Sequence, residues 1–436
     1  MVATGESIEV AGIGEVDAGL SHDLSDQIRR QAANHGLVLV LEMLIQHRLA
    51  GVSKSSNSLE TSRSCQSAVM PETRINQQRA RAALQSLFVG DALAMPVHWY
   101  YNPMDIYRQF RGGIQKMEAA PAHHPSSIMS LHSTSQGGRI GARGSNPGRE
   151  IVGEVILKGR RQYWGKANSH YHHGMQAGEN TLNAHCVRVL MRCLAENGGH
   201  YDKDSFLAAY IELMTAEPAH HPDTYAESWH RGFFANLEAG KPADQCGAVT
   251  HDTASIGGLV SIAPVVIAER LAGTSLEDVQ AICRQHLYLT HPDDYLAKVC
   301  RDYVGLLDAL LFMEEDEEPA TLISAWSKRS ISLQLSEIMP KIHNDNDVVG
   351  KLFSSACYIT DSWPSVLYLA YKYCHDLEAG LLSNTNLGGD NVHRGAVLGV
   401  ILGLAMAGTS DALYEQLRDR QELDGEITAL MDAVGA

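Results

Sequence analysis

Two short segments nearly three hundred residues apart carry the chemistry-bearing groups of this chain. The first, Gly90-Asp91-Ala92-Leu93-Ala94-Met95-Pro96, leads straight into His98, Trp99, Tyr100 and Tyr101. The second, Asn386-Leu387-Gly388-Gly389-Asp390-Asn391, is followed by His393. Each joins an apolar helical stretch to a few polar groups, which is how a helical protein builds a site at helix ends, where backbone N–H groups are free. A third candidate group, Glu179, Asn180 and Thr181, precedes the apolar run 182–190, with His172 and His173 a few residues earlier. Glu179 suits either a helix-dipole partner or a site carboxylate. Asp91, inside an otherwise apolar helix end, reads as a buried carboxylate that bonds neighbouring backbone. Trp99 and Tyr100 suit core packing or a stacking platform for a planar group. His251-Asp252-Thr253 reads as a cap for the helix that follows.

The elements that must position these groups are helical. Ala80, Ala83, Leu84, Leu87 and Phe88 fall on one face of a helix from Asn76 that Pro96 ends. Further helical patterns cover 181–197, 204–215, 224–237, 257–271, 276–287, 295–313 and 363–375, with a last one over 393–407. In that last helix Gly395, Gly399 and Gly403 recur every four residues among Ala396, Val397, Leu398, Val400, Ile401 and Leu402. Each glycine costs roughly 1 kcal/mol of helix propensity relative to alanine. A stripe of three therefore predicts a central helix whose backbone meets another closely. Strand-like runs are few, and the expected class is all-α, one large helical bundle domain over 76–436. Residues 1–75, with a possible helix over 24–50 and the serine-rich 53–58, read as an N-terminal appendage. Residues 111–150, rich in Gly, Ser, His and Pro, read as a long irregular excursion in which Ser126, Ser127 and 130–133 offer polar groups.

Bulk properties narrow the function. Acidic residues outnumber basic ones by 51 to 35, for a formal charge of −16, and no basic patch stands out, which argues against nucleic-acid binding. The eight cysteines form no C-x-x-C pair, so they read as small buried hydrophobes in a reducing, cytoplasmic setting. The run 37–41 is too short to span a bilayer, so no membrane is expected.

In order along the chain, 90–96, 178–181, Ile256-Gly257-Gly258-Leu259-Val260-Ser261-Ile262-Ala263-Pro264, Leu289-Thr290-His291-Pro292-Asp293 and 386–393 resemble the motifs of ADP-ribosylglycohydrolases. The resemblance implies an all-α fold and cleavage of a glycosidic bond between ribose and an acceptor. It also implies two acidic clusters that clamp a pair of Mg²⁺ ions. Here the first cluster reads Gly178, Glu179, Asn180 and Thr181, the second Asp390, Asn391, Val392 and His393, and His98 stands where a glutamate is usual. Three expected carboxylates are absent, so two magnesium ions, which require hard oxygen ligands, are not expected. By the resemblance, Glu179, Asp390, His98 and His393 converge. They could hold a single Zn²⁺, Mn²⁺ or Fe²⁺ through Glu179, Asp390 and His393, or act without metal as an acid–base set in which Glu179, Asp390 and His98 are catalytic. Asn180, Thr181, Trp99, Tyr100, His172, His173, Asn391 and His393 would then bind substrate, an ADP-ribosylated, nucleoside-like or glycosylated molecule. Two other classes remain: an inactive nucleotide- or partner-binding member, and a crystallin-like structural protein.

Overall fold

The computed structural model describes residues 71–129 and 149–435; the expectations for 1–70 and 130–133 lie outside the described residues. Among the described residues, thirteen α-helices longer than a single turn run in this order: α1 Pro71–Ala94, α2 Pro103–Gln109, α3 Leu182–Glu196, α4 Lys203–Thr215, α5 Ser228–Glu238, α6 Ile262–Leu271, α7 Leu276–Tyr288, α8 Asp294–Leu311, α9 Pro319–Ile331, α10 Ile359–Tyr373, α11 Leu377–Leu387, α12 Asn391–Met406 and α13 Arg420–Val434. Only isolated β-bridges occur among the described residues, so the chain is all-α. None of the described helices is long and apolar enough to cross a membrane.

The glycine stripe decides the centre of the bundle. Every residue of α12 from Asn391 to Ala405 is buried, with α1, α8, α10 and α11 packed around it. A Cβ added at Gly395 would lie 2.7 Å from the Gly90 carbonyl oxygen, and one at Gly403 2.6 Å from that of Ala82. One at Gly399 would strike the Ser86 carbonyl. The pairs 90/395, 86/399 and 82/403 run in opposite directions, so α1 and α12 are antiparallel and touch backbone to backbone. Because α1 ends at Ala94 in a single 3₁₀ turn over Met95–Val97, His98 leaves that turn beside the N-terminus of α12.

Several boundaries differ from the sequence pattern for local reasons. The helix expected over 224–237 starts only at Ser228, because Asp223 draws the Tyr225 N–H onto its own carboxylate (3.0 Å) and holds the chain extended. The stretch 257–271 divides into a 3₁₀ turn over Ile256–Leu259 and α6. Gly257 and Gly258 are pressed there against the Trp229 ring and against Leu296, Leu287 and His291. Helices α2, α9, α11 and α13 carry no equally clear pattern and are additions to the sequence reading. Of the cysteines, Cys186, Cys193, Cys246, Cys283, Cys300 and Cys374 are buried free thiols and Cys357 is half-buried.

The α1–α12 contact makes a direct prediction. Gly399→Ala should destabilise the protein by about 1–3 kcal/mol, as overpacking does. Gly425→Ala, in α13 with no atom within 4 Å of its added Cβ, should instead stabilise by about 0.5–1 kcal/mol. Thermal midpoints of the two variants check this; equal shifts would contradict the close approach.

Candidate functional site

Three loops, the start of α12 and one side chain each from α3, α4 and α5 deliver a continuous run of buried polar side chains. His98 follows the 3₁₀ turn after α1, and Trp99 takes a left-handed backbone (φ +61°). That conformation is strained for a bulky residue; it is held by Trp99 N–H donating to the Gly389 carbonyl (2.7 Å) and Ser126 Oγ donating to the Trp99 carbonyl (3.1 Å). Gly388 and Gly389 both have positive φ and lie hard against the Tyr100 and Ser355 carbonyls. Only glycine fits there, and the turn swings Asp390 inward as the residue preceding α12.

The network starts at Asp223, which accepts from His172 Nδ1 (2.8 Å), the Leu182 N–H (2.8 Å) and the Tyr225 N–H. His172 Nε2 meets His98 Nδ1 at 2.8 Å, and His98 Nε2 meets Asp390 Oδ1 at 3.0 Å. The other Asp390 oxygen meets His393 Nδ1 at 3.0 Å. Beyond His393, Nε2 lies 2.6 Å from Asn183 Nδ2 and 3.3 Å from Glu227 Oε1. Asn183 Nδ2 donates to Glu227 Oε1 (2.9 Å), and Asn183 Oδ1 faces His230 Nε2 (2.9 Å). Tyr210 Oη ends the run, 2.6 Å from His230 Nδ1. Every member is less than a tenth exposed.

Charge follows from burial and neighbours. Burial would push Asp390 up, but the charge and hydrogen bond of His393 and the bond from His98 overcome it and hold the carboxyl well below its usual range. Asp223 is likewise held low, by His172 and the Leu182 N–H against burial. Burial opposes a proton on His172 and His393, yet Asp223 raises the first, and Asp390 with Glu227 raises the second. His98 is different: burial pulls it down to about 3 despite the bond to Asp390. A doubly protonated His172 donates from both nitrogens, so neutral His98 accepts at Nδ1 and carries its hydrogen on Nε2, facing Asp390. This tautomer follows from the bonding pattern. At His393 two arrangements compete for Nε2: a hydrogen drawn by Glu227, or a lone pair facing the Asn183 amide. The raised basicity of His393 that Asp390 and Glu227 cause selects the protonated ring, with a hydrogen on each nitrogen.

Several expected site residues have other work. Asp91 accepts from Asn180 Nδ2 (2.8 Å), the Thr181 N–H (2.8 Å) and Thr181 Oγ1 (2.6 Å). Asn180 also donates to the Phe88 carbonyl, so this cluster ties α1 to the start of α3. Tyr100 is wholly buried, bonds Gln109 and packs edge-on to His124; it is core rather than platform. His173 is half-buried beside Tyr163 and outside the network. Asn391 donates to the Thr385 carbonyl and, weakly, to that of Val97, leaving Oδ1 without a partner. Trp99 does stack, on His98, with centroids 3.7 Å apart, and its edges meet Tyr171 and Tyr225. It roofs the network.

Glu179 is the main correction. Its carboxylate accepts from the Gln176 N–H (2.8 Å) and lies 3.7 Å from Arg418 Nε. The groups within ligand distance of Asp390 are His98 and His393, without Glu179. The physical reason is the loop: Gly178 (φ +78°) packs onto the Gln416 carbonyl and accepts from the Arg418 N–H (3.0 Å), which fixes Glu179 on the 416–418 side. Sequence reading also missed Asp223, Glu227, Asn183, His230 and Tyr210. The available signal was Asp223, Glu227 and His230 at spacings of four and three within an otherwise apolar, aromatic stretch. His251-Asp252-Thr253 closes a loop through Thr253 Oγ1 and Thr250 N–H (2.6 Å), and Asp252 accepts from Ser228 Oγ.

A family model described as ADP-ribosylglycohydrolase matches residues 71–436. The chain belongs to the ADP-ribosylglycohydrolase family. The family is one of glycosyl hydrolases acting on ADP-ribose-type substrates. No curated protein sequence matches the chain. Among solved structures, an "ADP-ribosylglycohydrolase-related protein complex" superposes with a TM-score of 0.52 at 17% identity, over 83% of this chain and 99% of that one; at that identity the likeness concerns the fold. The magnesium pair that the family resemblance implies does not fit the residues present. Asp91 has both oxygens engaged, Glu179 is turned away, and the group that could hold an ion among the described residues, His98, Asp390 and His393, contains a single carboxylate.

The buried histidines predict acid sensitivity. Burial lowers His98, His185 and His291 to about 3, and His124, His221 and His286 to about 4. Below the unfolded value near 6.5 the unfolded chain binds protons that these rings refuse, so stability falls as pH drops from about 6.5 towards 4. His172 and His393, raised instead, act in the opposite sense but are two against eight, because burial also lowers His170 and His230. Thermal midpoints should therefore decline steadily between pH 7 and pH 5; a flat profile would mean the rings are accessible.

Proposed function

We propose that this protein hydrolyses an N-ribosyl-type glycosidic bond of an ADP-ribosylated or nucleoside-like small molecule. The observation that carries the reading is the buried run Asp223–His172–His98–Asp390. It couples a protonated imidazole to an ionised carboxylate through a neutral ring that can accept a proton on one nitrogen and release one from the other. Glycosidic cleavage needs those two functions: a proton for the leaving group and a carboxylate facing the oxocarbenium-like centre.

In this scheme the ribose enters beneath Trp99, whose indole moves off His98, and its anomeric carbon faces Asp390. As the bond to the leaving nitrogen breaks, its electron pair goes to that nitrogen, which takes the hydrogen from His98 Nε2. His172 passes its Nε2 hydrogen to His98 Nδ1, while Asp223 keeps the His172 ring oriented. Water then attacks the anomeric carbon and returns a proton to His98 Nε2, and the Nδ1 hydrogen goes back to His172. His393 holds the second Asp390 oxygen, and Glu227 with Asn183 holds His393.

Asp390→Asn should lower turnover by about 100- to 1,000-fold, the scale of losing one electrostatic stabiliser, and His98→Gln by about 100-fold or more. Glu179→Gln should leave turnover unchanged. The assay is release of ribose-containing product from ADP-ribosylated peptides, ADP-ribose derivatives and nucleosides, with circular dichroism as a check on folding. Wild-type rates in folded Asp390→Asn would refute the scheme. One feature favours a second reading, a binding member without turnover: His98, Asp390 and His393 are sealed beneath Trp99. Binding without hydrolysis across the whole panel would select it.

A further inference from the structure

One ring nitrogen each of His98 and His393 and a carboxylate oxygen of Asp390 all lie within 4.8 Å of one another, and all three residues are buried. Asp390 Oδ1 is 3.0 Å from His98 Nε2 and 2.9 Å from His393 Nδ1. Adjacent donors around one ion, each bonded at about 2.1 Å and at right angles, stand about 3 Å apart. Two imidazoles and one carboxylate arriving on one face are a donor set for borderline transition ions.

The rear of each ring is braced in the way metal-binding imidazoles are. His98 Nδ1 backs onto His172 Nε2 at 2.8 Å, which in turn backs onto Asp223 at 2.8 Å. His393 Nε2 faces Glu227 Oε1 at 3.3 Å. Such partners fix the tautomer and raise the basicity of the ligating nitrogen. Charge gives an independent reason. Asp390 and Glu227 are two buried carboxylates that share the single His393 ring, so one imidazolium faces both, and burying charge without full compensation is costly. His172 is already committed to Asp223. The neighbouring Arg394, also buried, spends its donors on Asn384, Gly388 and Ser355 oxygens and reaches neither carboxylate.

We propose that His98, Asp390 and His393 form the protein part of a mononuclear site for Zn²⁺, Mn²⁺ or Fe²⁺, with Asp223–His172 and Glu227 as its supporting groups. The proposal replaces Glu179 by His98 in the ligand set expected from the sequence, and exchanges a hard-oxygen magnesium pair for one ion with nitrogen donors. Taking up the ion requires the nitrogens facing Asp390 to be free of hydrogen. His98 then carries its hydrogen on Nδ1, towards a neutral His172, and His393 keeps one on Nε2 for Glu227. Asn183, 2.6 Å from that nitrogen, has to give way by a few tenths of an ångström.

The site rests on geometry and not on the hydrolytic scheme: an ion on His98 Nε2 would take the place of the hydrogen which that scheme gives to the leaving group, so an ion-loaded molecule cannot follow it, and the test reads binding. Full-length protein is stripped with chelator, then titrated with ZnCl₂, MnCl₂, anaerobic Fe²⁺ and MgCl₂, with calorimetry, thermal midpoint and elemental analysis as readouts. One transition ion per chain should be retained and the midpoint raised, with Mg²⁺ at least tenfold weaker. His98→Gln should lose that ion. His172→Gln should weaken it about 10- to 100-fold, the usual cost of removing a supporting partner. Because these buried variants can fail to fold, Co²⁺ in the wild-type protein supplies a second measurement: visible d–d bands of nitrogen coordination are expected. Failure to retain any transition ion, uptake of two Mg²⁺ per chain, or unchanged binding in folded His98→Gln would each overturn the proposal, whether or not the protein turns over substrate.

Discussion

Everything near the site depends on the backbone contact between α1 and α12. Three glycines spaced by four let the two helices approach until carbonyls of one touch Cα atoms of the other. At ordinary helix separations of 8–10 Å the end of α1 and the start of α12 would not share a cluster. With the contact in place, the 3₁₀ turn after α1 and the Gly388-Gly389 turn before α12 bring His98 onto Asp390. The roughly 1 kcal/mol of helix propensity lost at each glycine is offset by burial of α12 from Asn391 to Ala405.

Around that junction the protein has buried a set of charges that stabilise one another only as a group. Asp223, Asp390 and Glu227 are each beside an imidazole, and no lysine bonds any of them among the described residues. Such a network is worth more than its pairs because each member lacks water as an alternative partner. Deleting one imidazole leaves a buried carboxylate unpaired, which costs more than the bond itself. The same low dielectric separates the histidines by position: His172 and His393, beside carboxylates, hold protons, while His98, set between those two rings despite its bond to Asp390, and His124 and His170 do not. His124 and His170 bond the His98 and Pro96 carbonyls instead, which braces the 95–98 turn from behind.

The site is also closed, and the closure is strained. Trp99 occupies a backbone region that suits glycine, held by two hydrogen bonds to Gly389 and Ser126. Its indole shields His98 from water, which strengthens each electrostatic contact beneath it. Residues held in such conformations cluster at ligand clamps and switch regions. The geometry thus combines a rigid floor, set by α12, with a roof that a bound molecule has to displace.

The family's motif order, the all-α class, the central glycine helix and the candidacy of His98, Asp390 and His393 were legible in the sequence. Helical periodicity, glycine spacing and polar groups at helix ends are local patterns, and local patterns survive in one dimension. The sequence also misplaced Glu179, because its direction is decided by Gly178 docking on residues 416–418, more than two hundred positions away. Asn180 and Thr181 were likewise drawn off the site by Asp91. Asp223, Glu227 and His230 left only a faint signal in their spacing and Asn183 none, since each enters the network only when folding sets it against His172 or His393 or, for His230, against Asn183. Residue types and spacing determined which groups could do chemistry. Only tertiary packing decided which carboxylates face which imidazoles, because the direction of a buried side chain is set by the neighbour that satisfies it.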